Sequence, residues 1–443
     1  MTNLRAQDTE DRDSEDYDPG ASTVGTSKSR LLQVLGPGLI TGASDDDPSG
    51  IATYSQVGAQ FGYGLGWIML FSYPLMCAVQ MIAARIGRTT GHGIAGNLRR
   101  CYPISVTRVI VGLLFIANVI NLGADLGAMG QAATLLIPGP AKLYVLVFGA
   151  VCIVMQVFMQ YAQYVRLLKW LTLALFAYVA TLFTIDVPWG QLARDLVLPP
   201  LQWDDAYLTG IVAVLGTTIS PYLFFWQAAE EVEDIDTKPT RESLLKVPKQ
   251  GPSALHRIGV DTLVGMGFSN IVALAIIVTT AATLHVHGVT DIQSSAQAAE
   301  ALRPIAGDFA FALFAMGIIG TGLLAVPVLA GSSAYAIGEA MRWPRGLARQ
   351  PKEAMAFYAT LVLAMVVGIV INFLPVDPIR ALYWSAVLNG VISVPVLAIM
   401  MLMAARLTVM GQFAITGWLR AMGWVSTGVM LLAVTGMASS WLR

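Results

Sequence analysis

Apolar residues in this chain fall into long runs separated by short polar stretches. Eleven runs can be marked, at approximately 31–60, 63–87, 105–134, 142–160, 164–187, 206–231, 258–284, 306–338, 355–375, 380–404 and 418–440. Runs of this length cross about 30 Å of hydrocarbon when helical. Only a helix satisfies its own backbone there, so each run is expected to be a spanning helix. The first, third, sixth and eighth are long enough to be broken, tilted or extended beyond the bilayer. Composition agrees with the pattern: 56% of residues are hydrophobic, 12% are charged, and mean hydropathy is +0.64. A soluble domain carries about a quarter charged residues. The first 30 residues are polar and acidic and read as a disordered tail rather than a signal peptide.

The net charge of −1 carries little information, but the placement of the charges carries more. With the N-terminus in the cytoplasm, the inside-facing flanks hold twenty of the 27 Lys and Arg residues, the outside-facing flanks five, and the tail the remaining two. Lys28, Arg85, Arg99, Arg100, Arg257, Arg342 and Arg345 lie inside; Lys142, Arg194, Arg303, Arg380 and Arg443 lie outside. This bias predicts an N-in, C-out topology. The connection 232–257 is then the longest cytoplasmic loop, expected to be a solvated linker. Cys77, Cys101 and Cys152 lack ligand spacing and imply no disulfide framework.

Two spans carry a polar-proline break near their middle. The first reads LLQVLGPGLITGASDDDPSGIATYSQ, with Asp45, Asp46 and Asp47 before Pro48. Carboxylates are costly at membrane depth and mark a site by default. Pro48 removes a backbone hydrogen bond, and Ser49 and Gly50 are expected to permit a non-helical turn. Carboxylates with freed carbonyls make a hard-oxygen cation site. The sixth span has Thr217, Thr218 and Ser220 before Pro221, with Tyr222 and Gln227 following. Matching breaks five spans apart, facing opposite ways, point to an inverted-repeat transporter. The expected divisions are a tail (1–30), two repeats of five helices (31–187 and 206–404) and an eleventh helix (405–443).

Weaker signals surround these. Asn118, Asn121 and Asp125 share one face of the third span. Asp125 is a candidate pathway or proton-carrying residue, with a structural hydrogen-bonding role as the alternative. Asn389 could reach the central cavity. Glu230, Glu231, Glu233 and Asp234 are expected at a solvated helix end. His285, His287 and Asp291 sit at the predicted external mouth, either as an ordinary loop or as a metal-capture site.

The residues around both breaks resemble those of the Nramp family of divalent-metal transporters, over about 31–404. GPGLITGASDDDPSG stands where the family has a segment ending D-P-G-N. RIGRTTGHGIAGNLRR resembles the exit of its second helix, GADLGAMGQAA its D-L-A-E segment, and TTISPY its M-P-H break. The resemblance implies an all-α polytopic membrane protein with a LeuT-like 5+5 inverted repeat, broken first and sixth helices, and an eleventh helix as in bacterial forms. It implies alternating access and residence in the bacterial inner membrane. Asp47 and Pro48 match the family's aspartate and proline. The family's asparagine is Gly50 here, its methionine Ser220, its histidine Tyr222, and the D-L-A-E glutamate Ala128. The arginine pair entering its ninth helix is absent. Loss of an amide and a thioether leaves oxygen donors, which suit Mg²⁺ over soft transition metals. The pattern is similar to divergent branches proposed to move Mg²⁺ with little proton coupling.

The expected substrate is therefore a divalent cation, Mg²⁺ first and Mn²⁺ second, with no cofactor. Asp47 would anchor it, helped by Asp46, backbone oxygens near Thr217, and Ser220; Asp45, Gly50, Asp125, Tyr222, Gln227 and Asn389 are pathway candidates. Expected partners are the lipid bilayer and the ion, not nucleic acid. A small organic solute is the alternative cargo, and a non-transporting sensor a more remote one. No catalytic motif suggests an enzyme.

Overall fold

The computed structural model describes residues 41–42, 44–158, 175–238, 240–375 and 377–442. The expected tail, the beginning of the first run and the first part of the fifth lie outside the described residues, as do Lys28, Arg30, Arg166, Lys169 and Arg443. The described chain is helical: α1 (Pro48–Phe61), α2 (Trp67–Thr90), α3 (Ile94–Cys101), α4 (Ile104–Leu136), α5 (Ala141–Phe158), α6 (Asp205–Thr218), α7 (Pro221–Thr237), α8 (Gly251–Thr283), α9 (Ala310–Met341), α10 (Met355–Ile371), α11 (Pro378–Ala404) and α12 (Gly417–Trp441). Eight spans among the described residues are long and apolar enough to cross a membrane, counting α6 and α7 as one; α10, with 17 residues, is apolar but shorter. The chain is a multi-pass membrane protein.

Packing shows why the two broken segments sit inside the bundle. α4 carries Asn118, Asn121 and Asp125 buried on one face, whereas apolar residues such as Val109 and Ile116 lie on its exposed side. It packs along α9, α11, α10 and α5. α1 packs along α8, and α7 packs along α2. Exchanging the two halves of the chain turns each of these last two pairings into the other and the α4–α9 pairing into itself. That is the contact pattern of a repeated five-helix unit.

Both breaks use the same local chemistry. Proline is tolerated at the first helical position, where its missing N–H was unpaired anyway. Pro48 opens α1 and Pro221 opens α7 in that way. The interruption in the first span therefore falls on Asp46 and Asp47, not on Ser49 and Gly50 as expected. Those two already belong to the first turn of α1, because Asp47 caps it by accepting the Gly50 N–H at 2.6 Å.

The connection expected at 232–257 is also shorter than the apolar pattern suggested. α7 runs on to Thr237 and α8 begins at Gly251. Helix persists past the apolar runs because its charged residues find partners. Glu231 pairs with Arg257 at 2.5 Å, and Asp234 pairs with Lys238 and Arg241. The remaining turn is packed too: Leu244 is buried, and its N–H donates to Arg88 O. Glu231 is fully buried, so the reading of this acidic stretch as a solvated end fails there. Glu233 likewise accepts from Tyr335 and from the Leu347 and Ala348 amides.

Candidate substrate site at the broken helices

The break before α1 gathers acids in the interior. Asp45, Asp46 and Asp47 are 0%, 5% and 1% exposed, and Asp125 of α4 is 0% exposed. They divide into two groups. Asp45 Oδ2 and Asp46 Oδ1 both face the Ser269 hydroxyl of α8, at 2.5 and 3.1 Å. One hydroxyl has one proton, so it fully satisfies only one of these oxygens. Asp47 turns the other way: its Oδ2 accepts from Asn121 Nδ2 and from the Tyr222 hydroxyl, each at 3.2 Å. The same Tyr222 hydroxyl lies 3.1 Å from Ser44 O, so its one proton is shared between two acceptors and the side chain spans the first break from the far side of the second. Asn121 is oriented in turn by Ser385 of α11, whose hydroxyl donates to its Oδ1 at 2.7 Å.

Several of these oxygens lack protein donors. Asp45 Oδ1 is buried without a hydrogen-bond partner among the described residues, and the Asp125 carboxyl is approached only by the Ser49 backbone, beyond ordinary hydrogen-bond geometry. Burying a bare carboxylate is costly, and several close together repel. Positive charge supplied by protons or by a cation would relieve that cost.

The second break differs. Ser220 Oγ lies 2.6 Å from Gly216 O and 2.9 Å from Thr217 O, donating back into α6. Ser393 of α11 donates to Ile219 O at 2.7 Å. Pro221 deprives Thr217 O of its helical donor, and the Ser220 hydroxyl covers that loss. Thr217 itself touches the first break: a side chain added at Gly50 would meet Thr217 Oγ1 at 3.1 Å and Asp45 O at 3.2 Å. Gly50 is thus a point of close approach between the breaks. Gly216 has a similar role toward α11, where a Cβ would overlap Ala386 O and the Gly390 backbone.

The structure brings together Asp45, Asp46, Asp47, Gly50, Thr217, Tyr222 and Asp125. Ser220 is adjacent, but its hydroxyl is engaged with α6. Gln227 lies farther along α7 and contacts the first span through Thr41 at 2.5 Å. Asn389 is buried between the Gly216 contact and Ser393, with its Oδ1 unpartnered among the described residues. His285 and His287 do not converge: their Nδ1 atoms pair with Ala59 O and Thr283 O, and Asp291 lies 3.6 Å from Arg380. Ser269, Thr41 and Ser385 were missed by sequence reasoning, because a hydroxyl in an apolar helix looks the same whether it serves a site or its own backbone. Among the described residues no three His, Cys, Asp or Glu side chains form a ready metal-binding group.

The architecture is that of a polytopic helical carrier with two interrupted spans meeting at a buried acidic centre. The sequence pattern of the Nramp family, described as natural resistance-associated macrophage protein-like, matches residues 38–439, so the chain belongs to the Nramp family. Its relatives include the divalent metal cation transporter MntH of Klebsiella pneumoniae, 25% identical over 440 residues, covering 95% of this chain and 97% of that one. The protein of the same name from Deinococcus radiodurans is 27% identical, covering 94% and 92%. Among solved structures, the Eremococcus coleocola manganese transporter, in complex with an aromatic bis-isothiourea substituted compound, aligns with a TM-score of 0.69 at 17% identity, covering 95% of this chain and 90% of that one. Mhp1, a nucleobase-cation-symport-1 family transporter in a closed conformation, aligns with a TM-score of 0.56 at 13% identity, covering 92% of both. These two likenesses bear on the fold alone, which is the LeuT-like arrangement with an added eleventh helix.

Proposed function

We propose that this chain carries a divalent metal cation across the membrane by alternating access, with Mg²⁺ favoured over Mn²⁺. The observation that carries the reading is the buried group Asp45, Asp46, Asp47 and Asp125, with carboxyl oxygens lacking protein donors at a helix break. Relatives named as divalent metal cation transporters support the cargo class. They give no support to an organic solute.

The preference for a hard ion follows from the donors. The side chains that contact Asp45, Asp46 and Asp47 are the Ser269 and Tyr222 hydroxyls and the Asn121 amide, and Ser220 and Gly50 offer neither sulfur nor a side-chain carbonyl. Mg²⁺ dehydrates reluctantly and is usually held through one or two carboxylates with several waters retained. A site with split carboxylates and no ready chelating trio fits that habit. Asp47 is the anchor in this reading, positioned by Asn121 and Tyr222, with Asp46 and the Thr217 region completing the shell. The two repeats would be 31–187 and 206–404, with the N-terminus cytoplasmic and the membrane a bacterial inner membrane. The Lys and Arg distribution supports the orientation.

The test is flux into liposomes reconstituted with the protein, read with Mg²⁺ and Mn²⁺ reporters in parallel. Mg²⁺ uptake that excess Mn²⁺ inhibits only weakly is the expected result. Selective Mn²⁺ uptake would overturn the ion preference, and absence of flux for either would overturn the cargo class.

A further inference from the structure

The end of α9 and the loop before α3 border a cavity of about 450 Å³ that is open to the surface, with Arg100 and Arg342 exposed. Its walls include Arg99, Arg100, Arg342, Arg345, Glu339 and Trp343. That volume lies within the range of small-molecule sites, roughly 300–1,000 Å³.

The charge in the cavity is not balanced by protein. Glu339 is the one acid in the wall, and its charge is already committed. Its two oxygens accept the Gly93 and Gly96 amides, each at 2.8 Å, and Arg345 Nη2 lies 3.1 Å away. Glu339 and Arg345 therefore form a strut holding α9 to α3. Arg99, Arg100 and Arg342 have no ion-pair partner among the described residues. His92, also in the wall, is driven down to about 4 by burial first and then by Arg100 and Arg345, so it stays neutral near pH 7.

The backbone adds a second sign. Arg342 is the one non-glycine residue with positive φ among the described residues, at φ 60° and ψ 36°. Glycine is the usual residue at that position after a helix, because a side chain is strained there. Here the strained position supplies a guanidinium to the cavity instead. Arginine's planar fork matches phosphate oxygens two at a time. Trp343 gives the cavity an aromatic side of the kind found at membrane–water interfaces.

We infer that this cavity is a binding site for a phosphate-bearing anion, held by Arg99, Arg100 and Arg342. It lies on the face that the Lys and Arg distribution assigns to the cytoplasm, where both phospholipid headgroups and soluble phosphates are at hand. The inference does not depend on the cargo of the acidic centre.

The experiment uses the full chain and two probes. Phosphatidylglycerol retention is counted by native mass spectrometry after delipidation, and inorganic pyrophosphate binding is measured by calorimetry in neutral detergent. Arg99→Gln/Arg100→Gln/Arg342→Gln is compared with a charge control, Arg108→Gln/Arg420→Gln, on exposed or half-exposed positions outside the cavity. The cavity variant should lose about tenfold or more in affinity for at least one probe, as expected for lost charge-assisted contacts, and the control less than about twofold. Loss confined to phosphatidylglycerol assigns a headgroup, and loss confined to pyrophosphate a soluble ligand. Equal losses in both variants, or binding of neither probe by the unaltered protein, overturn the site. Arg342→Gly covers the case of a misfolded triple variant, since glycine relieves the backbone while removing the guanidinium. It should melt at the same or higher temperature and still bind more weakly; undiminished binding overturns the assignment.

Discussion

The two helix breaks are built alike in backbone and opposite in chemistry. Each has an extended residue followed by proline at the first position of the next helix. At Asp47 the extended residue caps the helix with one carboxyl oxygen and points the other at Asn121 and Tyr222. At Ser220 the extended residue makes no cap, and its hydroxyl bonds back to Gly216 O and Thr217 O. The first break thus presents hydrogen-bonded carboxylates with no ion-pair partner among the described residues, and the second quiets its own backbone. A pair of breaks in one carrier need not contribute equally: here one holds the charge and the other shapes the wall opposite.

That contrast orders the expected effects of substitution. Asp47→Ala removes a buried carboxylate and strands Asn121 and Tyr222. Flux in liposomes should fall on the order of a hundredfold or more, the kinetic equivalent of roughly 3 kcal/mol or above. Gly216→Ala comes next, because the added methyl overlaps Ala386 O and Gly390 of α11. Overpacking of this kind costs about 1–3 kcal/mol. Thermal melting in detergent should register it, and an unchanged melting temperature would mean that the second break is looser than its contacts indicate. Ser220→Ala leaves Thr217 O short of a donor, worth about 1 kcal/mol in stability. Its flux should fall less than about tenfold. If Ser220→Ala abolished flux as Asp47→Ala does, the contrast between the breaks would be wrong.

The smallest effect lies outside both breaks and serves as a control. His92 is held at about 4, below its ordinary 6.5. An unfolded chain takes up this proton first as pH falls. The stability that a neutral His92 contributes is therefore fully present above about 6.5 and is lost as pH drops toward about 4. In His92→Gln, the melting temperature should decline slightly less across that window, with flux near pH 7 unaltered.

Sequence alone went far with the spans and less far with their company. Runs of apolar residues mark helices because the bilayer allows little else, and D-D-D-P in such a run marks a site because the cost of those charges needs a reason. Helix ends were harder to place. α7 and α8 continue through charged residues that pair across the structure, such as Glu231 with Arg257, and no local pattern announces a partner 26 positions away. The sequence pattern places the first break at Asp47-Pro48, and the structure keeps Asp47 there but puts Pro48 inside the next helix and Asp46 in the break, since proline looks like the disruption when Asp47 is the residue that leaves the helix. Ser269 and Ser385 were invisible for a related reason. A serine in an apolar helix most often bonds to its own turn, as Ser220 does, and only packing shows which serine faces a carboxylate.

The crowding of Asp45 and Asp46 around one serine hydroxyl has an electrical consequence. A carrier must return its empty site across the membrane, and the charge it returns with determines how the membrane potential acts on that step. Each unbalanced elementary charge moved through the full field changes the energy by about 2.3 kcal/mol per 100 mV. Protons left on the carboxylates after release would make the return nearly indifferent to voltage, whereas bare carboxylates would make the potential a partner in every cycle.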